Sequence, residues 1–228
     1  MKTVSAAVRC VVSGEGHWVE KIREDYGLLC KPQEEGGSPD LNILHQVYKI
    51  FKPIPAQLIR DCGIKTLFLS DTMGPNRPYY PNHGFYIRNS VTLNTDIFYH
   101  PDVQDDFFDH RGYFIDRPTQ TLYHEFAHGY DAAHDELSLK PEWMALSGWS
   151  KEPKKGLKRL VIKGDKDTPD VIGEYYFSPK AGFTRFYAKR NPYDDFADSF
   201  SFYIGNLKDK LPENKQEYLK KLLGKYYS

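Results

Sequence analysis

The chain has 228 residues, 40% of them hydrophobic and 15% aromatic, which is enough for one globular domain with a sizeable core. Lys plus Arg and Asp plus Glu number 31 each, so no whole-chain field favours nucleic acid or anionic membrane. No apolar run approaches the roughly 18–20 residues that span a bilayer, and Met1 to Val12 is a short apolar run broken by Arg9 rather than a signal peptide.

In chain order, a strand is predicted around Val8 to Val12, followed by a Gly- and Glu-rich loop over Lys31 to Asp40. Leu41, Leu44, Val47, Tyr48 and Phe51 recur at helical spacing, and Pro55 to Cys62 reads as a short second helix ended by Gly63. Ile64 to Leu69 is a strand by its apolar run, with further strands at Phe85 to Leu93 and Gly112 to Ile115. Cys10, Cys30 and Cys62 have no metal-ligand spacing and read as buried thiols with at most one disulfide.

The next element carries chemistry. Thr119 to Ala133 contains no proline, and Leu122, Phe126, Tyr130 and Ala133 form a core stripe opposite His124 and His128. Within it, His124-Glu125-Phe126-Ala127-His128 puts two imidazoles one helical turn apart on one face, where they can share an ion. Zn²⁺ suits two nitrogen ligands, one oxygen ligand and a position left for water. Glu125, beside the metal, is then the candidate general base. These residues read as a zinc hydrolase, a peptidase first of all.

After this helix, Pro141 to Trp149 is apolar and aromatic, either a wall of the substrate cleft or ordinary core. Lys151 to Asp170 is lysine-rich, either a lid over the site or a solvated hairpin. Asn191 and Pro192 then open a helix as N-cap and first residue. Tyr193, Phe196, Ala197, Phe200, Ile204 and Leu207 make its apolar stripe, with Asp194 and Asp198 on the flank and Asp195 pointing away toward solvent. Asp194 can be the third ligand, or it can complete a capping box with Asn191. His134, six residues after His128, is an alternative third ligand of metzincin type, with Met144 as the methionine turn; that geometry needs the helix to break after His128. A last helix spans Glu213 to Leu223.

The pairing of the first motif with Tyr187-Ala188-Lys189-Arg190-Asn191-Pro192-Tyr193-Asp194-Asp195-Phe196-Ala197-Asp198 resembles the catalytic domain of anthrax lethal factor and the Pro-Pro endopeptidases. The resemblance covers roughly the second half of the chain. It implies Asp194 as third zinc ligand, Tyr187 as oxyanion stabiliser and Asp198 as a partner behind the ligands. The family has glutamate at both acidic positions where this chain has aspartate, which shortens the reach by about one methylene.

The expected fold is therefore α+β and zincin-like, a small mixed sheet with flanking helices and the motif helix packed on it. One domain over 1–228 is expected, with a sheet and helix part at 1–115 and a zinc-binding helical part at 116–228. The expected partner is a protein or peptide substrate, bound along a sheet edge at Phe85 to Leu93 or Gly112 to Ile115. The chain is expected to be a monomer acting outside the producing cell, with a cytoplasmic location as the alternative. Two rival classes are a non-catalytic zinc- or peptide-binding module with a zincin shell and a metal-independent structural domain.

Overall fold

Three helix starts in this chain, at Asp40, Asp116 and Asn191, are set by side chains that satisfy free N–H groups of the first turn. The computed structural model describes residues 14–32, 40–70, 83–99, 116–163 and 171–227. Helix α1 (Gly14–Tyr26) leads into strand β1 (Leu29–Pro32). Asp40 caps α2 (Leu41–Phe51), accepting from the N–H groups of Asn42 and Ile43. Helix α3 (Ala56–Asp61) ends ahead of Gly63, whose φ of 70° lies in the left-handed region that glycine adopts without strain.

Strands β2 (Thr66–Ser70), β3 (Gly84–Ile87) and β4 (Ser90–Asn94) complete a four-stranded sheet in the order β1-β2-β4-β3. β1, β2 and β4 run parallel and β3 antiparallel, so the sheet is mixed. Phe85 to Leu93 is thus two strands of a hairpin rather than one. The polar Arg88-Asn89 pair turns the chain, with Arg88 at φ 54°, and both strands regain apolar character on either side. Lys31 and Pro32 belong to β1 rather than to the loop expected there. The strands predicted at Val8 to Val12 and Gly112 to Ile115 lie outside the described residues.

A single turn, α4 (Asp96–Tyr99), precedes the described start of α5 (Arg117–Ala133), which Asp116 caps by accepting from the Thr119 N–H at 3.0 Å. Leu122, Phe126 and Tyr130 are buried as their spacing requires, whereas Ala133 stays exposed. Gly129 marks the closest approach of α5 to its neighbours. A Cβ there would stand 2.6 Å from the Cys62 carbonyl oxygen and 2.8 Å from Ile64. Gly129→Ala should therefore lower stability by about 1–3 kcal/mol, although alanine is the better helix former. Thermal denaturation checks this; an unchanged or raised melting temperature would contradict the contact.

Helix α6 (Pro141–Leu146) is followed by β5 (Trp149–Ser150), β6 (Lys158–Lys163) and β7 (Val171–Phe177), an antiparallel sheet in the order β5-β7-β6. The described part of the lysine-rich segment is therefore the first arm of a surface hairpin, with Lys151, Lys154, Lys155 and Lys158 exposed. Trp143 is fully buried against Phe196 and Tyr218, a core residue rather than a cleft wall. Met144 lies within α6 and belongs to a second buried cluster with Trp149, Tyr175 and Phe183. Cys30 and Cys62 are buried free thiols.

Helix α7 (Pro192–Ile204) packs lengthwise on α5, and α8 (Glu213–Leu223) closes over α7. Tyr130 meets Phe200, and in the buried seam Gln120 Nε2 donates to Ser201 Oγ at 2.9 Å. This fixes the rotation of each helix about its axis. α5 also lies against β3 and β4, so the mixed α+β arrangement places the motif helix between the sheet and α7. Among the described residues no helix is long and apolar enough to cross a membrane.

Candidate metal centre

The α5–α7 seam brings together side chains that are far apart in sequence. His124 and His128 present their Nε2 atoms 3.1 Å from one another. Asp194 Oδ1, in the first turn of α7, lies 3.6 Å from His124 Nε2 and 3.4 Å from His128 Nε2. Four donors placed tetrahedrally about 2.0–2.1 Å from a zinc ion would stand about 3.3–3.4 Å apart. The three separations straddle that value, so the donors fit a small tetrahedral cation.

The hydrogen bonds behind these atoms also fit. His124 Nδ1 lies 2.8 Å from Asp198 Oδ1; a carboxylate only accepts, so Nδ1 carries a proton and Nε2 is the ring atom turned toward the other donors. Capping and ligation are not alternatives at Asp194. Asn191 Oδ1 accepts from the Asp194 N–H at 2.7 Å, and Asn191 Nδ2 donates to Asp194 Oδ2 at 2.7 Å. Asp194 Oδ1 remains to face the imidazoles. The aspartate reaches because α7 is docked closely on α5, not because its side chain is long.

Charge follows from this arrangement. Burial works against an imidazolium at His124, but Asp198 and Asp194 outweigh it and raise its pKa to about 9. Burial likewise opposes ionisation of Asp194, yet the two imidazoles hold its carboxyl below the usual aspartate range. Glu125 is buried beside the pair, and burial pushes its carboxyl up against the pull of His124 and His128. The backbone N–H of Tyr86 on β3 faces this carboxylate. Gly84 on the same strand packs against it, since a Cβ there would stand 3.2 Å from Glu125 Cγ and 2.9 Å from Thr121.

Tyr187, in a 3-10 turn at Tyr187–Lys189, stands edge-on to His124 with ring centroids 5.5 Å apart. Burial, then the Asp194 charge, pushes its phenol above the ordinary range. Gly84, Tyr86, His124, Glu125, His128 and Tyr187 border a common cleft of about 410 Å³.

Two expectations are corrected. Helix α5 does not break after His128. It runs on to Ala133, and His134 stacks on the Tyr130 ring with its Nδ1 2.8 Å from the Tyr130 carbonyl oxygen. Asp131, at the position where a metzincin has glycine, is helical, and its carboxylate accepts from the Ser138 N–H and Oγ. His134 therefore stands outside the donor group. Asp195 is fully buried rather than solvated, bonded to Lys215 Nζ of α8 at 2.5 Å and to Trp149 Nε1 at 3.1 Å.

Arg185 is a site residue that sequence reasoning missed. Its Nε donates to Asp198 Oδ2 at 2.7 Å and its Nη2 to Asp198 Oδ1 at 2.5 Å. The signal available was indirect: a carboxylate on a buried helix flank needs a cation, and several arginines precede that helix.

No protein-family model matches the chain, and no curated protein matches it. Among solved structures it is similar to a candidate zinc-binding metallo-peptidase from Bacteroides caccae, with a TM-score of 0.42 and 17% identity, over 97% of this chain and 81% of that one.

Proposed function

We propose that this protein is a zinc-dependent endopeptidase of the zincin type, with His124, His128 and Asp194 holding the metal. The observation that carries the reading is the convergence of three donor atoms from two helices at 3.1, 3.4 and 3.6 Å, beside a buried glutamate. The resemblance to the lethal factor and Pro-Pro endopeptidase family supports the same assignment of residues.

When bound, zinc supplies Lewis acidity toward the peptide carbonyl and brings water within reach of deprotonation near neutral pH. Glu125, oriented by the Tyr86 N–H, takes the proton from attacking water and passes it to the leaving nitrogen. The Tyr187 hydroxyl, kept protonated by burial, donates to the developing oxyanion. Asp198 holds the His124 tautomer.

β3 is the end strand of its sheet among the described residues and borders the cleft, so an extended peptide can add along its outer edge. The proposed substrate is accordingly a protein or peptide in extended form. A monomer acting outside the producing cell remains part of the proposal.

A peptide-library cleavage assay with and without chelator tests this reading. Cleavage that chelator abolishes and zinc restores supports it. Zinc binding without cleavage of any peptide would favour the non-catalytic module instead. Within the enzyme, Tyr187→Phe should lower kcat by about 10²–10³ while zinc content, measured by metal analysis, stays at the wild-type level. A loss of zinc in that variant would assign Tyr187 to the metal rather than to the oxyanion.

A further inference from the structure

The ion pair behind His124 is larger than holding an imidazole requires. Asp198 is fully buried, and Arg185 is more than nine-tenths buried. The guanidinium engages both carboxylate oxygens, and Asp198 Oδ1 is shared between Arg185 Nη2 and His124 Nδ1. The same guanidinium lies against the Tyr187 ring, its Cζ 5.1 Å from the ring centroid. One planar group therefore touches both the carboxylate behind the metal-facing imidazole and the tyrosine.

We infer that Arg185 is a positioning residue of the metal centre, acting through Asp198 to hold His124 with its Nε2 turned toward His128 and Asp194. A carboxylate with a single imidazole partner can rotate about its own axis and carry the ring with it. A fork that binds both oxygens removes that rotation. Asp198 then becomes a fixed acceptor, and the ring plane of His124 is set by the guanidinium two steps away. Lysine would preserve the charge but offers no planar fork, so it would not set that orientation. This inference rests on the reading of His124, His128 and Asp194 as zinc ligands.

The test is zinc affinity of the full chain, measured with zinc alone in competition against a chromophoric chelator, on protein shown to be folded by circular dichroism. Arg185→Met should weaken zinc binding about 10–100-fold, the usual consequence of losing a partner behind a metal ligand. Arg185→Lys, which keeps charge and bulk if the methionine variant fails to fold, should also weaken it and should alter the ligand-field spectrum of the Co²⁺-loaded chain. Because Arg185 acts through Asp198, its loss and Asp198→Asn should not multiply. The double variant should bind zinc within about twofold of Asp198→Asn. Independent, multiplying effects, or Arg185 variants that bind zinc within about twofold of wild type, would overturn the inference and leave the metal site standing. Wild-type protein that binds zinc no better than His124→Ala would overturn the inference together with the proposed function.

Discussion

Glu125→Gln is expected to retain zinc and to lower peptide turnover by about 10²–10⁴-fold, the range in which a general acid–base contributes. The substitution is nearly isosteric in a buried position, so the packing against Gly84 is kept. An amide can still accept the Tyr86 N–H, but it cannot take a proton from water. Binding and chemistry therefore separate in this variant. Asp194→Ala gives the opposite pattern, because the carboxylate oxygen that faces both Nε2 atoms is removed. Its zinc should be lost on dialysis. Metal analysis alongside peptide cleavage tells the two variants apart, and turnover by Glu125→Gln near the wild-type rate would refute the base assignment.

Lys215→Met is expected to cost about 3–5 kcal/mol of folding stability, because it strands a buried carboxylate. Lys215 and Asp195 are essentially inaccessible, and the Asp195 side chain would keep the neutral Trp149 Nε1–H as a partner in place of a cation. Burial already raises the Asp195 carboxyl to about 6, with the lysine ammonium opposing that rise. Removing the ammonium raises it further. Across the interval between the unfolded carboxyl, near 3.8, and this raised folded value, the folded state binds more protons than the unfolded state. Stability conferred by the protonated acid is thus present at low pH and lost as pH rises through the folded pKa. The deficit of Lys215→Met should be large at pH 8 and smaller at pH 5. Urea unfolding at the two pH values, in chelator, measures this; a variant within about 1 kcal/mol of wild type at pH 8 would show that the pair contributes little.

Local signals read correctly in the sequence and long-range ones did not. The caps at Asn191 and Gly63, the core stripe Leu122, Phe126 and Tyr130, and the helix Glu213–Leu223 are written within a turn or two of themselves. The hairpin at Arg88 was hidden because its turn has no glycine or proline to announce it. Asp195 was misdirected for a different reason. Its angle from the apolar stripe is as expected, but α8 covers that side of α7 and brings Lys215 to it, and no pattern around Asp195 reports a helix that follows. Arg185 sits in an irregular stretch between β7 and the Tyr187 turn, where neither helical nor strand periodicity exists to give it a direction. The donors on α5 and α7 were nameable from motif and resemblance, yet whether the two helices docked closely enough for an aspartate is a property of the Gln120–Ser201 seam.

That seam joins stretches as remote as His124 and Asp198, 74 positions apart along the chain. A cation gripped by both helices would fasten them as a reversible cross-link, favouring the folded ensemble by about 2.7 kcal/mol when free ion stands at about 100 times its dissociation constant. Scarcity of zinc would then do more than silence such an enzyme. It would also shorten the lifetime of the polypeptide by exposing it more often to degradation.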